Sequence, residues 1–142
     1  MKWIMIANSN ECRIYDYQKK LNQLTFIKEI NHPENKLKSK DLGTDSPGHY
    51  NTSTSARGAF SQPTELNEIN FENFARELAE CLDEERMNHD FDELVVIMPA
   101  HMEGLFLRHL NKNVKILITK TLQKNMMHCS EPELLEYLQE HL

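Results

Sequence analysis

Short apolar segments separated by polar turns open the chain. Residues 3–7 are continuously apolar and end at Asn8-Ser9-Asn10, which indicates a buried strand followed by a turn. Residues 11–17 and 24–30 predict two further strands. The connections between the three are too short for crossover helices, so we expect an antiparallel meander.

Helical spacing appears later in the chain. Apolar residues recur every three or four positions and predict an amphipathic helix with acidic residues outside: Phe71, Phe74, Ala75, Leu78, Ala79 and Leu82. Residues 94–98 are continuously apolar and stop at Pro99, as expected of a central strand covered on both faces. Residues 102–110 predict a short helix and residues 114–118 a buried strand. The pair Ser130 and Glu133 has the spacing of a capping box and predicts the start of a last helix.

This order of elements, β-β-β-loop-α-β-α-β-α, predicts the fold class. Right-handed crossovers would place the later strands parallel to the first, which gives an α/β fold with a ribonuclease-H-like mixed five-stranded sheet and helices on its faces. The 142 residues fit a single domain over 1–142. Residues 33–65 are rich in Asn, Ser, Thr, Gly and Pro and predict a long loop. A loop of that length is usually either functional or disordered, and the pattern leaves both open.

Composition and charge narrow the setting and the partners. The formal net charge is -6, and residues 65–93 carry eleven acids against Arg76 and Arg86. This argues against broad non-specific nucleic-acid binding, although Lys36, Lys38 and Lys40 form a local basic patch. No apolar run has the length of a membrane span, and no secretory segment is visible, so we expect a cytoplasmic protein without membrane insertion. The three cysteines are far apart and predict neither a disulfide framework nor a zinc site.

The sheet edge is where ligand chemistry is expected, because ligands of open α/β sheets bind beyond the carboxyl ends of the parallel strands. His101, Arg108 and Lys120 are the candidates there, and Arg108 with Lys120 could hold an anion. Ordinary surface cations are the competing interpretation. The strand ends supply no carboxylates, which argues against a two-metal nuclease of the usual kind.

Two local clusters are weaker candidates. Residues 126–129, Met-Met-His-Cys, offer soft ligands for copper(I), but packing explains them more simply. Asp45, Ser46 and His49 could form a catalytic trio, but turn roles explain Asp45 and Ser46 equally well. We therefore expect no metal, no cofactor and no catalytic residue in these clusters.

A series of short motifs runs in order along nearly the whole chain: Trp3 to Ala7, Arg13-Ile14-Tyr15, His32-Pro33-Glu34, Asp41-Leu42, Asp45-x-Pro47-Gly48, Phe74-Ala75, Leu82, Phe91-Asp92-x-Leu94-Val95, Leu105-x-Leu107-Arg108 and Ile118-x-Lys120. Together they resemble the bacterial family of proteins required for attachment to host cells. Two departures weaken the case for a shared active site. His49 stands where the family usually has Arg, and Thr121 stands where it usually has Asp.

That family in turn resembles the middle domain of archaeal and eukaryotic class I release factors and of Pelota. In those proteins the long loop after the third strand carries a Gly-Gly-Gln that enters the peptidyl-transferase centre. The corresponding segment here reads Ala56-Arg57-Gly58-Ala59-Phe60, with Gln62 nearby and no Gly-Gly-Gln. The resemblance therefore implies no hydrolysis of peptidyl-tRNA by this chain.

Three functions remain as hypotheses. The first is a non-enzymatic binding protein of the host-attachment family, with a role in attachment and an unidentified protein partner. The second is a ribosome- or tRNA-associated factor, and the third is an enzyme acting on a small anionic substrate held by Arg108 and Lys120. The oligomeric state stays open. The binding residues we expect fall in two groups. The loop group consists of Lys36, Lys38, Lys40, Asp45, His49 and Arg57. The sheet-edge group consists of His101, Arg108 and Lys120.

Overall fold

The computed structural model describes residues 1–32 and 53–142, with side chains for residues 1–32 and 66–142. Its strands are β1 (Lys2–Ala7), β2 (Glu11–Gln18), β3 (Gln23–Asn31), β4 (Glu93–Ile97) and β5 (Ile118–Leu122). Its helices are α1 (Ser53–Met87), α2 (Ala100–His109), α3 (Lys112–Lys115) and α4 (Glu131–His141). A short 3-10 turn, Lys19–Leu21, joins β2 to β3.

The five strands form one mixed sheet in the order β3-β2-β1-β4-β5. β1 pairs antiparallel with β2 and parallel with β4, and the outer pairs are β2–β3 (antiparallel) and β4–β5 (parallel). The predicted mixed five-stranded sheet and its opening meander are thereby confirmed. The strand order is also compatible with the ribonuclease-H-like topology expected from the sequence.

Each face of the sheet has its own core, because side chains alternate along a strand. From β1, Trp3 and Met5 point to the face covered by α1 and α2, where Phe74 and Phe106 are fully buried. The other face of β1, which includes Ile4, is covered by α4 and the segment before it. The buried side chains that α4 and this segment contribute are Met126, Met127, Leu134 and Leu138. The two methionines therefore pack in the core, as the simpler interpretation of that cluster predicts.

Helix α1 is much longer than the sequence indicates. It begins at Ser53, so residues 53–65 are helical and the prediction of a loop over them is wrong. The reason lies in the sequence: residues 53–65 contain one large apolar residue, Phe60, among small and polar ones, so they give no sustained periodic signal for a helix. The remaining part of the predicted loop, residues 33–52, lies outside the described residues.

The fifth strand is shifted from its predicted place. The prediction of a strand over 114–118 is wrong, because Val114 lies in α3, where Asn111 caps the helix by accepting from the Asn113 N–H. Val114 is buried in the core beside α1, whereas Ile116 is 78% exposed. The strand proper, β5, is an edge strand with an exposed Thr-Lys-Thr centre, and so it lacks the apolar run of a central strand.

The start of α4 is as predicted. The Ser130 Oγ accepts from the Glu133 N–H at 3.3 Å, and the Glu133 carboxylate accepts from the Ser130 N–H at 2.9 Å. These hydrogen bonds to Ser130 hold the pKa of Glu133 below its usual value. Across the part of the chain that the structure describes, no helix combines the length and apolar character needed to cross a membrane.

Candidate functional site

The carboxyl ends of β4 and β5 lie beside the start of α2. Pro99 is the N-cap of α2, and its carbonyl accepts from the Glu103 N–H at 2.9 Å. Because only Met98 and Pro99 separate β4 from α2, His101 lies at the sheet edge in the first turn of α2. This placement agrees with the position expected for His101 from the sequence.

Three polar side chains of α2 pair with glutamates of α1 rather than standing free at this edge. The His101 Nε2 lies 3.1 Å from both carboxylate oxygens of Glu68. One turn along α1, Glu72 Oε1 accepts from Arg108 at 3.0 Å and lies 3.1 Å from the His109 Nε2. We call these five residues the α1–α2 seam.

The seam brings together opposite charges from two helices. The hydrogen bond from His109, followed by the charge and hydrogen bond of Arg108, holds the pKa of Glu72 below its usual value. Phe71 packs edge-on against the His101 ring, with 6.5 Å between centroids. These contacts fix α1 against α2, so two of the three sheet-edge candidates, His101 and Arg108, are engaged in helix-to-helix pairing.

The third sheet-edge candidate, Lys120, lies elsewhere. It is within β5, not after it, and is in register with Val95. Val95 belongs to the core on the face of the sheet that α4 covers. Its Nζ donates to the His141 carbonyl at the end of α4. Arg108 and Lys120 are therefore on opposite faces of the sheet. The structure does not bring them together as the anion site on which the enzyme hypothesis depended.

The loop candidates fall on residues that are not described. Residues 33–52 include Lys36, Lys38, Lys40, Asp45 and His49, which lie outside the described residues, as does the weak trio with Ser46. Arg57 belongs to the helical span of α1, but its side chain is not among those described. Their proposed binding roles stay predictions.

Glu103 is a polar residue of this region that sequence reasoning missed. It is 7% exposed, its Oε1 lies 3.4 Å from the Gln123 Nε2, and its Oε2 is buried without a partner among the described residues. One signal in the sequence points to it: Glu103, Phe106 and Leu110 share one face of α2 by their spacing. Among the described residues, no group of three or more His, Cys, Asp or Glu side chains is arranged to hold a metal ion.

The solvent side of α1 is the second notable surface. Leu66 and Ile69 are 44% and 54% exposed, and Met87 at the far end of the helix is also exposed. Glu80 and Glu84 lie between them on the same side by helical spacing, opposite Phe74 and Leu78 in the core. We call Leu66, Ile69, Glu80, Glu84 and Met87 the outer face of α1. Arg76 flanks this face and donates to Asn73.

The lowered pKa of Glu72 makes a testable prediction about acid stability. A carboxyl whose pKa is lower in the folded state stabilises the protein above its unfolded pKa, and this contribution disappears as the pH falls through the folded pKa. We therefore expect Glu72→Gln to lower the Tm at pH 7 and to leave it nearly unchanged at pH 2. Thermal melts followed by circular dichroism measure both values. Glu140→Gln, at an exposed position of α4, is the control. An equal loss of Tm at both pH values in Glu72→Gln would contradict a stabilising role for the ionised Glu72 beside Arg108 and His109.

Fold and site together define a small mixed α/β protein with a five-stranded sheet between a helix pair and a single helix. At its sheet edge, His101 and Arg108 of one helix pair with glutamates of another. Residues 3–138 match the profile of the family described as "Protein required for attachment to host cells". The match covers more than half of the chain, and the chain belongs to this family. No curated protein sequence matches it.

Proposed function

We propose that this chain is a non-enzymatic binding protein that serves attachment to host cells by docking a basic, amphipathic segment of a partner protein on the outer face of α1. The observation that carries the proposal is the composition of that face. It exposes apolar side chains at both ends and acidic side chains between them, and the opposite side of the helix is buried in the core at Phe74, Leu78 and Leu82.

The apolar part of the face supports a docking role. Leu66 and Ile69 are one turn apart, and about half of each side chain is open to water. Covering such side chains is favourable by about 25 cal/mol for each Å² of apolar surface removed from water. Single exposed hydrophobic residues are common on protein surfaces, but here two lie next to each other on α1, N-terminal to its buried residues Phe74 and Leu78.

The acidic part of the face indicates the chemistry of the partner. Glu80 and Glu84 have no ion pair among the described residues, whereas Glu85 pairs with Lys28 and Asp83 pairs with Arg86 on the flanks of α1. Unpaired carboxylates attract a basic surface and steer its approach. Lysine or arginine beside apolar anchors, as in a basic amphipathic helix, fits both parts of the face.

The proposal is tested with a defined probe, a synthetic amphipathic helix of leucine and lysine labelled with a fluorophore. Fluorescence anisotropy measures its affinity for the wild type and two double variants, Leu66→Ser with Ile69→Ser and Glu80→Lys with Glu84→Lys. We expect each double variant to bind about tenfold more weakly, which corresponds to about 1.4 kcal/mol. The matched control is Glu131→Lys with Glu140→Lys on exposed positions of α4, and we expect it to bind like the wild type. An equal loss of affinity in the control would show that the peptide is attracted only by the net negative charge of the protein.

The attachment role needs a second readout, since a peptide reports only binding. In a strain of the source organism that lacks this protein, the wild-type chain should restore adhesion to cultured host cells. The chain with Leu66→Ser and Ile69→Ser should fail to restore it at equal abundance. Full restoration of adhesion by this variant would show that adhesion does not depend on the outer face of α1.

A ribosome- or tRNA-associated function is the second candidate, and the basic residues Lys36, Lys38, Lys40 and Arg57 favour it. Four phosphate contacts give a slope of log affinity against log salt of roughly -3 for single strands. Labelled tRNA titrated at two salt concentrations against the wild type and the fourfold alanine variant tests this function. Salt-sensitive binding that the alanine variant loses would favour it over the peptide-docking proposal.

A further inference from the structure

A cleft rich in lysine lies at the edge of the sheet opposite the start of α2. Its volume is about 600 Å³, and its lining includes Lys2, Tyr17, Lys19, Lys20, Leu21 and Glu93. Lys2 and Glu93 begin the parallel strands β1 and β4 and stand side by side in register. The cleft is therefore at the amino-terminal edge of these strands, away from the α1–α2 seam.

The cleft combines three ammonium groups with one carboxylate. The Lys19 Nζ donates to the Leu142 carbonyl oxygen at 3.0 Å, which holds that side chain in place. Lys2 and Lys20 have no ion pair among the residues described. With Glu93 as the one carboxylate in the lining, three lysines leave an excess of positive charge in the cleft, which attracts an anion from solution.

One wall of the cleft is apolar. Leu21 is 68% exposed, although the turn that carries it is well anchored. Asn22 adopts the left-handed conformation at φ 53° and donates its N–H to the Lys19 carbonyl at 3.1 Å, while its side chain accepts from Gln139 of α4. Tyr17 of β2, which belongs to the core covered by α4, lines the cleft near this turn. The backbone of the turn that carries Leu21 is thus held in place before any ligand arrives, which lowers the entropic cost of binding.

We infer that this cleft binds an organic phosphate, with the phosphate at Lys2 and Lys20 and an apolar body against Leu21 and Tyr17. Lysine is a compact point charge without the planar fork of arginine, and it is a common ligand of phosphate. The volume lies in the range of pockets that hold small molecules. The combination of charge and apolar wall separates this ligand class from inorganic phosphate and from neutral aromatic compounds.

The test uses 1-naphthyl phosphate as the probe, followed by calorimetric titration of the full chain at low salt. We expect saturable binding that is at least about tenfold tighter than that of inorganic phosphate or of 1-naphthol, because each of these lacks one half of the ligand. Binding of inorganic phosphate with equal affinity would overturn the assignment of the apolar wall. Absence of saturable naphthyl phosphate binding would overturn the site itself.

Variants locate the binding in the cleft. Lys2→Ala with Lys20→Ala should weaken naphthyl phosphate by about tenfold or more, and Leu21→Ser should weaken it severalfold. Lys112→Ala with Lys115→Ala, two exposed lysines of α3, is the matched control and should bind like the wild type. Glu93→Gln removes the one carboxylate and should tighten binding, a gain that a misfolded variant cannot produce. Equal losses in the α3 control, or no gain in Glu93→Gln, would contradict the proposal.

Discussion

Replacing Phe74 with alanine should lower the free energy of unfolding by about 3–5 kcal/mol, the usual cost of removing a buried aromatic ring. The Phe74 ring is fully buried between α1 and the sheet, and it packs against the His32 ring with 5.5 Å between centroids. Alanine would leave a cavity that the flanking strands and α2 cannot close without moving. Urea unfolding followed by circular dichroism measures the change.

The control for this experiment is Ile116→Ala. Ile116 is apolar but faces solvent, so its truncation should change the free energy of unfolding by no more than about 0.5 kcal/mol. A cost below about 1 kcal/mol for Phe74→Ala would mean that α1 does not depend on this ring for its place on the sheet.

Leu138→Ala should cost about 2–5 kcal/mol, because Leu138 is fully buried where α4 covers the other face of the sheet. The same urea experiment measures it, with the exposed Glu140→Ala as the control on the same helix. Phe74 and Leu138 contact opposite faces and share no neighbours in the two cores. The double variant should therefore lose the sum of the two single costs to within about 0.5 kcal/mol. A clear departure from that sum would show that the two faces are coupled through the sheet.

The strands with strong apolar signals are those that the sequence predicts well. β1 and β4 are buried on both faces and read as unbroken apolar runs, and Ser130 with Glu133 marks the start of α4 by local hydrogen bonding alone. β5 and the first half of α1 lack this information. β5 is an exposed edge strand and needs no apolar run, and residues 53–65 of α1 contain one large apolar residue, Phe60, among small and polar ones.

The candidate site is predicted only in part for a different reason. His101 and Arg108 can be found from their position after β4, but their partners Glu68 and Glu72 are 33 and 36 residues away. Such pairs depend on how two helices pack, which local spacing does not encode. The lysine cleft depends on strand pairing in the same way, since Glu93 reaches Lys2 through the pairing of β1 with β4, and Lys20 reaches it through the pairing of β1 with β2.

The central place of β1 has a consequence for the synthesis of the chain. Ile4 and Ile6 are made long before Leu134 and Leu138 of α4, which cover them on one face. The parallel partner of β1 also comes about ninety residues later, at Glu93–Ile97. On a translating ribosome the emerging meander therefore carries an uncovered apolar face until α4 has left the exit tunnel. Such surfaces are what chaperones bind, and any truncation before α4 would make that exposure permanent.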